Sequence, residues 1–257
     1  MSGALRADVR SYRDKLSREG RAAATVNLQI KKVLSVPFTS AQRLGYIPLN
    51  PCGAVDSLRV RASQRETFTL KQVAAIVATA EGDWGGAALC GYFTGLRLGD
   101  VCGLRWEAID LEAGILRVQT AKTDTEIVAP LHPDLEKWLR SCRRGIGKAP
   151  VFPDLAGKRT GGAGGLSAQF ARLLKKAGII RKTIRSGDGA GHRTSNLSYH
   201  SLRHSFVSAL ANEGVAPDVR QRLAGHADAK VHARYTHHEI ENLRAAVAKL
   251  PGLSPAG

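Results

Sequence analysis

Leu223-Ala-Gly-His226 and, nine residues beyond that histidine, Tyr235 within Ala233-Arg-Tyr-Thr-His237 are the segments from which the chain is best approached. They put a glycine where a helix stops, an imidazole in the tight turn after it, and a phenol a short span further on. Taken singly, such a histidine is a cap or surface residue and such a tyrosine is a half-buried structural side chain. Their meaning comes from two upstream segments, Thr94-Gly-Leu-Arg97-Leu-Gly-Asp100 and His200-Ser-Leu-Arg203-His204. Guanidiniums fork onto phosphate oxygens, histidines share or move protons, and a phenol can attack phosphorus to leave a covalent ester.

Arg97 follows Gly95 at a helix start, where backbone amides favour an anion, and Asp100 three residues on can hold the backbone or the guanidinium. An isolated Arg-x-x-Asp is more simply a surface helix ion pair. His200 and Arg203 stand three apart at another helix start, so both project from one face and can meet the same phosphate. His200 and His204 also have the i, i+4 spacing of a zinc pair, but the chain lacks the His-Glu-x-x-His form and a nearby cysteine cluster. His204 reads instead as a packing or supporting residue.

Taken in order, these four motifs resemble the tyrosine recombinases of the phage-integrase family, from about Ala22 to Thr236. The resemblance implies a catalytic set of Arg97, Lys122, His200, Arg203, His226 and Tyr235. Lys122 enters through the family's lysine in a β-hairpin; as a lone residue it is a solvated turn lysine. The family's Leu-Gly-His is Ala224-Gly225-His226 here, with the histidine in register. The implied reaction is site-specific DNA cleavage and rejoining. Arg97 and Arg203 clamp the phosphate, His226 adds a hydrogen bond, and His200 takes or holds the phenol proton. Tyr235 attacks to give a 3′-phosphotyrosyl enzyme, and Lys122 protonates the departing 5′ oxygen. The implied partners are double-stranded DNA and further copies of the chain, a tetramer on paired sites, with no metal or other cofactor. A type IB topoisomerase shares this chemistry, and a DNA-binding module with impaired catalysis is a third possibility.

The composition agrees with a polyanion partner. Lys and Arg number 38 against 22 Asp and Glu, a net charge of +16 spread from Arg6 to Lys249. Four separated cysteines, Cys52, Cys90, Cys102 and Cys142, form no Cys-x-x-Cys and read as reduced thiols of a cytoplasmic protein. No apolar run approaches a membrane span, and the N-terminus lacks the apolar core of a signal peptide.

Periodicity predicts a mainly α fold with a small antiparallel β-sheet, an α+β class. Helices are expected over 4–18 and 22–45, the second kinked or interrupted at Pro37. They end at Gly45-Tyr-Ile-Pro-Leu-Asn-Pro51. The boundaries expected are a helical DNA-binding (core-binding) domain over 1–60, short of the one or two helices with which the family's domain begins, and a catalytic domain over 61–257, joined by the polar, basic stretch 58–66. Thr69-Leu-Lys-Gln72 has capping-box spacing before a helix over 70–80. Helices are expected over 84–94, 98–104, 132–142, 167–177, 200–213, 217–224 and 238–249. Strands are expected over 115–120 and 126–130, with Lys122 in the turn between them. The segment 178–196 reads as a loop around a glycine-rich run. The resemblance implies that the apolar stripe Ile240, Leu243, Val247 and Leu250 docks onto a neighbouring protomer, as such segments commonly do in the family; folding back onto its own domain is the alternative.

Overall fold

The computed structural model describes residues 2–60, 66–120, 126–184, 194–225 and 237–253. The chain divides into two compact units, Met1–Gln64 with Lys182–Asn196, and Arg65–Arg181 with Leu197–Gly257.

The first unit carries α1 (Ser2–Arg18), α2 (Ala23–Leu28) and α3 (Ser35–Arg43). Pro37 does not break the helix. Instead Gln29–Leu34, between α2 and α3, form wider π-helical turns just upstream of it. An i→i+5 pattern moves each carbonyl's donor one residue on, which relieves a helix whose residue four ahead is a proline with no N–H. After α3 the chain stops where Gly45 was expected to stop it: Gly45 N donates to Gln42 O at 3.1 Å and Tyr46 N to Ala41 O at 2.9 Å. Asn50 then ties the following turn back to α3. Its Nδ2 donates to Ser35 Oγ and Thr39 Oγ1, each at 2.9 Å, while its Oδ1 accepts from Cys52 N at 2.9 Å. Asn27 clamps Leu58 by both backbone groups at 2.8 Å. Val9, Leu16, Val26, Ile30, Cys52 and Val55 form the small core beneath.

The second unit begins with α4 (Leu70–Thr79), and the capping box read from the sequence is present: Thr69 Oγ1 accepts from Gln72 N at 3.2 Å and Gln72 Oε1 from Thr69 N at 3.0 Å. Next comes α5 (Trp84–Thr94), apolar all round and buried from Gly85 to Thr94, as a helix without a polar face must be. It packs against α4, and a short helix α6 (Leu98–Cys102) follows. Strands β1 (Ile109–Asp110), β2 (Ile115–Gln119) and β3 (Glu126–Pro130) make an antiparallel sheet in that order, with Ile115 opposite Pro130 and Gln119 opposite Glu126. β1, too short to show a period, was not legible in the sequence.

The remaining elements of the second unit are α7 (Pro133–Ser141), α8 (Leu166–Lys176), α9 (Tyr199–Asn212), α10 (Pro217–Leu223) and α11 (His237–Ala248). β4 (Thr183–Ile184) and β5 (Thr194–Ser195) pair antiparallel within the segment read as loop, and belong to the first unit. Phe93, Phe152, Phe170 and Phe206 are fully buried at the centre of the second unit, with Phe170 edge-on to both Phe68 and Tyr199.

The stripe of α11 departs from expectation. Of the stripe, Leu243, Val247 and Leu250 lie in the chain's own core together with Ala246, while the Ile240 side chain lies outside the described residues. Polar contacts hold the segment in place: Arg244 Nη2 donates to Ala113 O at 2.5 Å, Leu253 N to Asp134 Oδ2 at 2.7 Å, and His132 Nε2 meets Leu250 O at 3.2 Å. The stripe spacing is identical for cis and trans packing, so periodicity alone does not choose between them.

Candidate active site

The turn from α5 to α6 aims the first arginine. Thr94 Oγ1 donates to Cys90 O at 2.6 Å and accepts from Leu96 N at 3.3 Å, so the end of α5 is closed by its own last side chain. Gly95 follows in the left-handed region at φ +66°, and a Cβ there would stand 2.6 Å from Phe206 Cδ1. Only glycine satisfies both the dihedral and the space. The turn leaves Arg97 as the residue capping α6.

The second arginine is built from the opposite side. α9 is buried along Tyr199, Ser201, Leu202, Arg203, Ser205 and Phe206. Its seating is fixed by Ser205 Oγ, which accepts from Phe68 N at 2.7 Å. Arg203, only 4% exposed, donates from Nη1 to Gly95 O at 2.7 Å. The glycine that shapes the first arginine's turn therefore also anchors the second arginine. This coupling joins residues 108 positions apart and had no signal in the sequence.

Electrostatics at this point are costly. Burial, the neighbouring Arg97 charge and, in the opposite sense, Asp100 set the basicity of Arg203, which drops to about 10. At neutral pH it is still charged. Arg97 Nη1 and Arg203 Nη2 are each buried without a hydrogen-bond partner among the described residues. Two crowded cations, each with a buried donor unused among the described residues, form a place where an anion would find complementary charge. Asp100 is itself buried, and its charge acts on Arg203 in the sense opposite to that of Arg97.

His200 sits at the start of α9, and its ring stands edge-on to that of His204 with centroids 4.8 Å apart. Among the described residues no three His, Cys, Asp or Glu side chains are grouped as a metal site would need. A cleft of about 490 Å³ opens beside Arg97 and His200, lined also by Thr160, Ser167, Arg181 and Ser198. Sequence reasoning passed over these last four.

Three of the six sequence candidates, Arg97, His200 and Arg203, thus fall in one region of the second unit. Lys122, His226 and Tyr235 lie outside the described residues. Their flanks are visible: β2 and β3 are paired up to Gln119 and Glu126, on either side of Lys122. Gly225, with φ +58°, follows the end of α10 and packs against Ile127, where a Cβ would come within 2.2 Å of Cδ1.

Two other tyrosines of the second unit are poor nucleophiles. Tyr199 is buried and donates its hydroxyl to Ala87 O at 2.6 Å, and burial raises its phenol well above the usual 10. Burial likewise raises Tyr92. Cys90 and Cys102, both free and buried, are pushed up to about 12 and are inert thiols at neutral pH.

The profile of the Phage integrase family matches residues 66–242, a span that contains all six candidates. Tyrosine recombinase XerC of Thermodesulfovibrio yellowstonii is 23% identical over 91% of this chain and 78% of its own length. Tyrosine recombinase XerD of Proteus mirabilis is 34% identical over 60% of this chain, and the match spans 47% of that protein. Among solved structures, a lambda integrase (75–356) dimer bound to a COC′ core site has a TM-score of 0.61, with 23% identity over 92% of this chain and 83% of that one. A lambda integrase tetramer bound to a Holliday junction has a TM-score of 0.62, with 22% identity over 89% of this chain and 66% of that one. At these identities the structural likeness is one of fold.

Proposed function

We propose that this chain, which belongs to the phage integrase family, is a site-specific DNA recombinase that cuts and rejoins strands through a 3′-phosphotyrosyl intermediate. The observation that carries the proposal is the paired cationic site. Arg203 is buried on Gly95 O with Arg97 close enough to lower its basicity, and each guanidinium keeps a buried donor unused among the described residues. A phosphodiester offsets the burial cost, relieves the mutual repulsion and satisfies both donors at once. Because those donors are fixed before substrate arrives, they stabilise the charge that develops on the non-bridging oxygens in the transition state.

In this mechanism Tyr235 Oη attacks the phosphorus and the bond to the 5′ oxygen breaks. The phenol proton passes to His200, and Lys122 gives a proton to the 5′ oxygen as it leaves. His226 donates a hydrogen bond to the phosphate. The phosphotyrosyl ester keeps the energy of the cleaved diester, so a 5′ hydroxyl from the partner strand can reverse the step without any added energy source. Exchange between two duplexes calls for several copies, and we assign a homotetramer on paired DNA sites; the integrase dimer and tetramer described above support this. No helix among the described residues is long and apolar enough to cross a membrane, and with all four cysteines as free thiols a cytoplasmic setting fits the reading.

A nicked suicide duplex tests the proposal, because loss of the short strand traps the covalent complex. The wild-type chain should form a phosphotyrosyl adduct, and Tyr235→Phe should bind the duplex without forming one. An adduct on the phenylalanine variant would move the nucleophile to another tyrosine, and absence of any wild-type adduct on cognate DNA would remove the recombinase reading.

A further inference from the structure

We infer that Arg181 is a DNA-positioning residue that grips a second backbone phosphate, the neighbour of the one held by Arg97 and Arg203. The inference rests on the recombinase reading and extends it to a part of the molecule outside the six candidate residues. The cleft beside Arg97 and His200, of about 490 Å³, is larger than a single phosphate requires. Arg97, Arg181, His200, Thr160, Ser167 and Ser198 line it beside an apolar floor that includes Leu98, Phe170 and Leu174, and no Asp or Glu is among its described lining residues. The basic and hydroxyl residues of the rim supply donors for a backbone phosphate.

The groove is built rather than incidental. Arg159 O accepts from Leu166 N at 2.9 Å and Thr160 O from Ser167 N at 3.0 Å, so the loop before α8 is folded onto the helix start and holds both hydroxyl residues side by side. Across the cleft Thr160 reaches the α6 wall, with its Cγ2 3.9 Å from where a Cβ on Gly99 would stand. Arg181 is tethered by its Nε, which donates to Leu197 O at 3.1 Å, directly before the α9 start that carries Ser198 and His200. The tether fixes the base of the guanidinium beside the start of α9, and the residue is exposed and lines the cleft. A strand whose scissile phosphate sits on the arginine pair must continue somewhere, and this groove is the adjoining cationic surface.

The test is a salt titration of binding to the nicked duplex by wild type, Arg181→Ala and Arg181→Lys, with adduct formation by wild type scored on the same DNA. One lost phosphate contact lowers the log–log salt slope by about 0.9, so the wild-type advantage over the alanine variant should shrink ~3.5-fold for a fourfold rise in salt. Lysine keeps the charge but loses the planar tether, and should retain the wild-type slope. A methylphosphonate at either phosphate flanking the scissile one should weaken wild type at one of the two positions and leave the alanine variant unaffected there. If the alanine variant keeps the full slope, or if lysine fails as badly as alanine, Arg181 is a structural tether and the inference falls. If both methylphosphonates weaken wild type and alanine variant equally, it falls as well. Adduct formation by wild type alongside either result confines the failure to Arg181; absence of the adduct indicts the recombinase reading instead.

Discussion

Gly95→Ala is the substitution through which fold and chemistry can be separated most sharply. The residue sits at φ +66°, where a Cβ costs about 1–2 kcal/mol. The added methyl would lie 2.6 Å from Phe206 Cδ1, inside a core with Phe206 fully buried, and overpacking of that kind costs about 1–3 kcal/mol. Together these predict a loss of roughly 2–5 kcal/mol, which for a unit of this size lowers Tm by about 4–20 °C. The same shift moves the Gly95 carbonyl that receives Arg203 Nη1, and an ångström of misplacement at a catalytic donor costs about 10²-fold in rate. The assay pairs calorimetric melting with single-turnover cleavage of the nicked duplex, run well below the variant's Tm so that folded enzyme is compared with folded enzyme. Adding Phe206→Leu makes room for the methyl, so the double variant should be more stable than the sum of the two single effects. A Gly95→Ala protein that melts within a degree of wild type and cleaves at the same rate would refute the reasoning. One that is destabilised but fully active would show that Arg203 does not depend on this carbonyl.

The remaining predictions concern other parts of the chain. Lys122→Ala should slow cleavage of an ordinary diester and be rescued, at least partly, by a substrate with sulfur at the 5′-bridging position, since a thiolate leaves without a proton; failure of that rescue in single-turnover assays makes Lys122 a groove contact. His132 accepts from Asp134 N at 3.2 Å, contacts Leu250 O and stacks on Phe93 at 3.9 Å, and burial holds its imidazole below the usual 6.5. The unfolded chain therefore takes up this proton at higher pH than the folded one, so this contribution is whole above about 6.5 and is lost as pH falls below it. Thermal melts between pH 7.5 and 5 should show a shallower acid slope for His132→Asn, which retains a capping acceptor. Deleting residues 239–257 should lower the stability of the isolated monomer, because Leu243, Val247 and Leu250 are in its core; an unchanged monomer Tm with impaired binding to paired half-sites would restore the trans-docking view.

Much of the fold was legible in the residue pattern because local rules governed it. The Thr69–Gln72 capping box, the all-apolar run of α5, the β-rich runs of β2 and β3 and the Gly45 stop each depend on neighbours within a few positions, and each formed as read. Of the candidate site, Arg97, His200 and Arg203 were named from the order of their motifs and lie in one region of the second unit, while Lys122, His226 and Tyr235 fall outside the described residues. Pro37 shows the limit of a local rule: the α-helical pattern gives way to wider turns at Gln29–Leu34, upstream of the proline rather than at it. Only tertiary structure decided that Gly95 serves both arginines, that Tyr199 is sealed against Ala87, that Arg181 shares a cleft with His200, and that the α11 stripe turns inward. In each case the partner lies far along the chain, and a periodic stripe or a lone side chain states that it needs burial or a bond without stating which surface supplies it.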